Sequence, residues 1–275
     1  MNHSIYKSAA RACTFLIVLS ILFSSCEKVI DINYNSQNSQ LIVEGNITDQ
    51  TGPYFVKLTQ TVNFDEPNSF PQVSGALVTI SDETGNTETL AETAPGVYAT
   101  SAIQGTPGRT YMLQVMANGK KYTAYSKMPA SVAIDKIMAV NQVLPMGNKK
   151  VVNVKLLDPA GITNFYRFVK IINNKIQSSI YTESDIKQDG KSLNIALLNK
   201  KQSESDMKTG DTLTIVLQSI DEPVYNYFRT LLQLNGGGGL INQSTSPANP
   251  VSNISNGALG YFNACAVTSQ TIFIP

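Results

Sequence analysis

From Leu41 onward the chain is written in short runs of alternating or β-branched apolar residues, cut at close intervals by turn-forming pairs. A two-residue period of this kind builds sheets and is incompatible with a helical bundle or a wound α/β fold. Leu41-Ile42-Val43 leads into Gly45-Asn46-Ile47-Thr48, and the next runs are Tyr54 to Leu58, Ala76 to Ile80, Val97 to Ala99, Tyr111 to Val115 and Lys121 to Tyr125. Between them stand Asp49 to Pro53, Thr84-Gly85-Asn86, Pro107-Gly108 and Asn118-Gly119, residues that turn a chain rather than extend it. This spacing predicts a β-sandwich of immunoglobulin size over residues 41–130, ended by Met128-Pro129.

Residues 131–275 predict a second, β-rich (α+β) domain. Strands are expected at Ile134 to Val140, Val151 to Leu157, Asn164 to Ile172, Leu193 to Leu198, Thr212 to Ser219 and Ala264 to Ile274. One helix is expected after Ser219-Ile220-Asp221-Glu222, read as a capping box with Ser219 at the cap and Glu222 three residues on. Pro223 suits a first helical turn, Val224, Phe228 and Leu231 recur at helical spacing, and Asn235-Gly236 supplies a stop. The glycines 236–239 and the Asn/Ser/Pro-rich run to Asn256 form a long loop, of the length that is usually functional or disordered.

The first 40 residues concern location. Lys7 and Arg11 precede the apolar stretch Ala12 to Phe23, which is too short to span a bilayer and is followed by Ser24-Ser25-Cys26. Residues 1–25 therefore read as a signal peptide. A cysteine directly after its small-residue end resembles the lipobox of bacterial lipoproteins, in which that cysteine takes acyl chains on its sulfur and its amino group. Cys26 is the expected lipid attachment site and residues 26–40 the lipidated tether.

Loss of residues 1–25 changes the chemistry that remains. His3 is the only histidine, tryptophan is absent, and Cys13 leaves with the leader, so Cys265 is the one thiol left besides Cys26. Without an internal disulfide the exported chain depends on its apolar core. The mature chain carries 19 basic and 20 acidic residues, a net charge of −1 with no basic cluster, which argues against nucleic acid as a partner. Histidine-based nucleophilic catalysis and His-ligated zinc are excluded, and no cofactor is expected. The glycine run lacks the Lys-Ser/Thr ending of a phosphate loop.

Acid–base chemistry rests on carboxylates alone. Asp49, Asp82, Glu83, Asp185 and Asp189 fall in expected turns, where aspartate serves local hydrogen bonding. Asp185-Ile186-Lys187-Gln188-Asp189-Gly190 has the flavour of a calcium loop but lacks the alternating oxygen ligands of an EF-hand, so no metal is expected there. Phe165, Tyr166, Phe168, Tyr225, Tyr227, Phe228, Tyr261 and Phe262 concentrate in the second half, as core or as a stacking surface for a ligand.

Cys26-Glu27-Lys28-Val29-Ile30-Asp31-Ile32, Leu41 to Asp49, Val73 to Ile80, Pro107 to Tyr111, Phe165-Tyr166-Arg167-Phe168, Ser219-Ile220-Asp221 and Asn256 to Phe262 occur in an order that resembles the DUF 4249 family, a Bacteroidota group of undefined function. The resemblance implies an outer-membrane lipoprotein encoded beside TonB-dependent transporters, and a first domain similar to the carboxypeptidase-regulatory-like sandwich. The family has no assigned catalytic residues to carry over. The expected function is accordingly that of a non-enzymatic accessory or ligand-binding partner of such a transporter, anchored in the outer membrane through its N-terminal lipid. The alternatives are a carboxylate-dependent hydrolase of surface glycans or peptides, and an adhesin or structural spacer.

Overall fold

The computed structural model describes residues 39–63, 69–144, 147–198, 207–234 and 249–275. The signal peptide, Cys26, nearly all of the 26–40 tether, the glycine run 236–239 and the Asn235-Gly236 stop lie outside them. Residues 38–275 form one compact unit.

The fold is mostly β, as the alternation dictates. The first half supplies β1 (Leu41–Thr48), β2 (Phe55–Gln60), β3 (Leu77–Asp82), β4 (Thr87–Thr89), β5 (Ala91–Ala94), β6 (Val97–Ala99), β7 (Thr110–Ala117) and β8 (Lys120–Lys127). The second supplies β9 (Ile134–Leu144), β10 (Gly147–Leu157), β11 (Phe165–Ile172), β12 (Lys175–Ile176), β13 (Tyr181–Ser184), β14 (Ser192–Leu197), β15 (Thr212–Ile220), a helix α1 (Glu222–Leu232) and β16 (Leu259–Phe273). Asn118 and Gly119 both take positive φ, as a tight β7–β8 hairpin requires, and the pair Asn173-Asn174 does the same between β11 and β12.

Three sheets result. One runs β12-β11-β15-β16-β1-β2-β6-β5, with β13 also on β11; the others are β4-β3-β7-β8 and β14-β10-β9. The long sheet serves two sandwiches. Its β1-β2-β6 end faces β3-β7-β8 across a core that includes Val43, Ile47, Leu58, Ile80, Tyr98, Leu113 and Phe262. Its β11-β15 end faces β9, β10 and β14 across a core that includes Val154, Leu156, Phe168, Leu193, Ile215 and Leu217.

The two sandwiches share β16. Its first half pairs in parallel with β1, Ile42 opposite Leu259 through Thr48 opposite Cys265, and its second half pairs antiparallel with β15, Ser219 opposite Ala266 through Thr212 opposite Phe273. A division of the chain at residue 130 is thus crossed by its last strand: Phe262, Ala264 and Ala266 pack in the first core, as do Ile254 and Ala258 just before the strand. Local sequence has no signal for this, because a parallel partner can be any distance away along the chain. The strand also begins earlier than the Ala264 expected from its apolar run.

Gly260 makes the joint possible. It has φ +92°, and a Cβ there would lie 1.9 Å from the Val43 carbonyl oxygen. Gly260→Ala should therefore destabilise the protein by roughly 2–5 kcal/mol, combining left-handed strain with overpacking against β1, and urea unfolding would show it.

Asp82, at the end of β3, illustrates how the turns are held. Its carboxylate accepts from Thr84 N (3.0 Å), Thr84 Oγ1 (2.8 Å), Asn86 N (3.0 Å), Asn86 Nδ2 (2.8 Å) and Arg109 Nη1 (2.8 Å). Burial pushes its pKa up, but the donors from Asn86, Thr84 and Arg109 outweigh burial and hold it well below the usual carboxylate range. A carboxylate depressed in the folded state contributes its full stability above its unfolded value, about 3.9, and loses it as pH falls further. Asp82→Asn should therefore show a shallower loss of stability than wild type between about pH 5 and pH 2 in urea titrations, and lower stability than wild type at pH 7.

Candidate functional site

The outer face of the long sheet carries a polar and aromatic row where β2, β1 and β16 run side by side. Lys57 stands opposite Glu44, and Glu44 opposite Tyr261. Alternation puts these three on the face away from the core, since Val56, Leu58, Val43 and Phe262 point inward. Two residues along on the same face, Asn46 stands opposite Asn263, whose amide donates to Asn46 Oδ1 (3.3 Å), while Asn46 Nδ2 donates to the Tyr261 hydroxyl (3.5 Å). Glu44, Asn46, Pro53, Tyr54, Phe55, Lys57 and Tyr261 line a cleft of about 440 Å³. That volume is in the range of small-molecule sites. Phe55 and Lys57 are exposed, and one carboxylate, Glu44, is among the lining residues.

Helix α1 borders this cleft through Tyr261. Tyr227 and Phe228 approach the Tyr261 ring at 5.2 and 4.8 Å between centroids. Burial pushes the Tyr227 hydroxyl up to about 12 and raises Tyr261 too, so both stay neutral donors at physiological pH. Beneath them the Arg167 guanidinium sits 4.3 Å from the Phe228 ring centroid and donates to Gln218 Oε1 (2.6 Å). Val224, Tyr225 and Phe228 form the buried stripe of the helix, packed with Ile220 and Cys265. Cys265 is fully buried, and burial pushes its thiol up to about 12, which leaves it an unreactive packing group at neutral pH.

The cap of α1 differs from the capping box expected with Ser219. Ser219 is the penultimate residue of β15, and Asp221 is the N-cap, its Oδ1 accepting from Val224 N (3.1 Å). Asp221 Oδ2 accepts from Ser126 Oγ (2.8 Å) and Lys127 N (3.1 Å) of β8, and Ser126 Oγ accepts in turn from Ala264 N (2.9 Å). Serine and aspartate both cap helices well, and the contact with β8 selects Asp221.

A second constellation lies at one end of the second sandwich, where β10 ends, β11 begins, β13 ends and β14 begins. Asp158, Asp185 and Asp189 each place a carboxylate oxygen there, all within 4.8 Å of one another. Asp158 is 2 % exposed and Asp185 0 %, while Asp189 is exposed. Asp158 Oδ1 accepts from the Tyr166 hydroxyl (2.5 Å) and Oδ2 from Gly190 N (3.0 Å); Asp189 accepts from Gly161 N (2.9 Å to Oδ1). Burial first, and then the charges of Asp158 and Asp189, push the Asp185 carboxyl up.

The family model described as "Domain of unknown function (DUF4249)" matches residues 27–271. The chain belongs to the DUF4249 family. No curated protein matches it. Among solved structures, a two-domain fibronectin type-III segment of chicken tenascin is similar at 9 % identity, covering 86 % of this chain and 99 % of that one with a TM-score of 0.24. A cytokine receptor complex is similar at 10 % identity over 84 % and 94 %, with a TM-score of 0.26.

In this DUF4249 chain the expected site residues are distributed widely. Cys26 lies outside the described residues. Asp49 bridges the sandwiches, its Oδ1 accepting from Val267 N (2.9 Å), and Asp82 serves its turn. Of the aromatics, Tyr166 and Phe168 go to the second core, Phe262 to the first, and Phe165, Tyr225, Tyr227, Phe228 and Tyr261 gather around α1. The described part of the 236–256 loop is a strap on the first sandwich: Asn253 pairs with both main-chain groups of Phe262 (2.7 and 2.9 Å), and Ser255 pairs with Thr123. Glu44, Lys57 and Asp158 were not singled out by sequence, since each is one polar residue within or beside an ordinary strand.

Asp221→Ala should cost about 2–3 kcal/mol by removing the cap and the bonds to β8. Amide exchange of α1 should accelerate more than that of β1 and β7.

Proposed function

We propose that this DUF4249 chain is an outer-membrane lipoprotein, lipidated at Cys26, that acts as a non-enzymatic binding partner of a TonB-dependent transporter. The observation that carries the reading is the cleft of Glu44, Asn46, Phe55, Lys57 and Tyr261. It combines the exposed Phe55 ring and the half-buried Tyr261 with one acid, one base and the Asn46 amide, the mixture of binding surfaces. Its single lining carboxylate supplies half of what acid–base glycoside hydrolysis requires. The close carboxylate pair Asp158–Asp185 is buried, with both Asp158 oxygens already accepting hydrogen bonds. Among the described residues no helix is long and apolar enough to cross a membrane.

The cleft sits on strands reached directly from the tether. Gln40, the last tether residue, is fastened by its N–H to Thr61 Oγ1 (2.9 Å) and by its side chain to the Gly257 carbonyl (3.2 Å). A partner bound at the cleft would thus engage a surface rigidly connected to the first strand after the anchor.

The test is affinity capture of the tagged full chain from gently solubilised outer membranes. Wild type should retain a β-barrel transporter in near-equal amount. Phe55→Ala with Lys57→Glu, both exposed positions, should lower that recovery about tenfold or more with little change in thermal stability. Cys26→Ala should abolish metabolic labelling with fatty acid. Recovery of the wild-type chain alone would overturn the partnership.

A further inference from the structure

The carboxylate cluster at the end of the second sandwich belongs to neither the cleft nor the proposed partnership, and it poses an electrostatic problem. Two carboxylates are buried there, a third adjoins them, and among the described residues no basic side chain pairs with any of the three. Leaving buried carboxylates of like charge together without a cation is costly, by several kcal/mol per ion in general.

A second observation points into the same place. Asp185 is fully buried and neither of its carboxylate oxygens has a hydrogen-bond donor in good geometry; the polar groups acting on it are the Asn164 main chain and the carboxylate of Asp158. Asn164, 4 % exposed, accepts the Asp185 N–H through its main-chain carbonyl (3.2 Å), and its own side-chain Oδ1 is also buried without a partner. Buried oxygens in native proteins are nearly always satisfied, so the two of Asp185 within an acidic cluster call for a partner such as a cation or a shared proton. The surroundings are built rather than casual. Gly190 N donates to Asp158, Gly161 N to Asp189, and Asp158 N to the Lys191 carbonyl (3.1 Å), so loops 158–164 and 185–191 are buttoned together around the carboxylates. Gly190 has φ +68°, and a Cβ there would stand 2.7 Å from Ala160 Cβ, which keeps the two loops in contact.

We propose that Asp158, Asp185 and Asp189 form a calcium site that locks these two loops together. The donor set is all oxygen, with no histidine or thiol, which selects a hard cation. Calcium–oxygen bonds of about 2.3–2.6 Å place oxygens on opposite sides of one ion roughly 4.6–5.2 Å apart, so donors within 4.8 Å of one another can share it. Asp185 supplies two buried oxygens, Asp158 and Asp189 retain lone pairs beyond their N–H and O–H donors, and Asn164, whose main-chain carbonyl holds the Asp185 N–H, carries a buried Oδ1 without a partner. Exposed Asp189 leaves the ion an entry side where water completes the shell. The site makes Asp185 and Asp189, two residues four apart, work with Asp158 from a different loop, which is why the segment departs from an EF-hand pattern.

The experiment uses the purified full chain, calcium chloride against a chelator, and terbium as a luminescent substitute. Equilibrium dialysis should give one calcium per chain, and the melting temperature should rise by several degrees with calcium. Because Tyr166 donates directly to Asp158 and no tryptophan is present, tyrosine excitation should sensitise terbium emission that calcium quenches by displacement. Asp189→Asn, an exposed change that leaves folding intact, should weaken calcium binding roughly tenfold. Asp185→Asn should abolish the calcium-dependent rise while melting no lower than wild type in chelator, since it relieves a buried charge. A wild-type chain that binds no calcium and melts alike in both buffers would overturn the site and leave the pair held by a shared proton. An equal response to magnesium would overturn the assignment to calcium, and so would an Asp185→Asn loss of stability that is the same with and without calcium. None of these outcomes depends on the transporter partnership.

Discussion

Everything in this molecule hangs on one strand. β16 is 15 residues long, parallel to β1 over its first half and antiparallel to β15 over its second. The same ladder of hydrogen bonds therefore closes the first sandwich and opens the second, and neither can lose it without exposing a core edge. Phe262, Ala264 and Ala266 point into the first core, while Ile272 and Ile274 pack with the second. Asp49, Gln50 and Thr268 add bonds across the same joint, to Val267 and Val132. A continuous strand resists bending far better than a linker, so the two sandwiches form one body rather than beads on a string.

This continuity also places the functional surfaces. The cleft row Lys57–Glu44–Tyr261 exists because β16 brings Tyr261 beside β1; without that pairing Glu44 and Lys57 would be an ordinary cross-strand pair on an edge. Helix α1 then covers the outer face of β16 with Phe228 and Tyr227, and Asp221 fixes its entry against Ser126 and Lys127 of β8. The result is an aromatic shelf shared by elements from both halves of the chain. The carboxylate cluster lies in the second sandwich on loops fastened to each other by main-chain donors. Its chemistry is separate from that of the cleft, and three other acids of the first sandwich hold turns and loops: Asp82 with Thr84 and Asn86, Glu88 with Ser101 to Ile103, Glu92 with Gly75 and Gly96.

Short-range features were legible from residue order alone. Alternation placed β1, β2, β7, β8, β10, β11 and β15 close to where they lie, because the sheet period is imposed residue by residue. The Asn118-Gly119 hairpin was legible for the same local reason, as was a helix carrying Val224, Phe228 and Leu231. The expected Ser219 cap failed by two residues: cap propensity is shared by serine and aspartate, and only packing against β8 distinguishes them. The very short β12 and β13 left no pattern at all.

By itself the sequence determined the mostly β character with one helix, the family, and the approximate span of most of the longer strands. These follow from composition and from periodicities a few residues long. The tertiary structure alone decided that the last strand joins the first, that Tyr261 meets Glu44, and that Asp158 meets Asp185 and Asp189. Those are encounters between residues from 27 to 217 positions apart, and no local propensity encodes them. They are settled by which arrangement buries both cores and satisfies the edge of β1, a sum over the whole chain rather than a property of any segment.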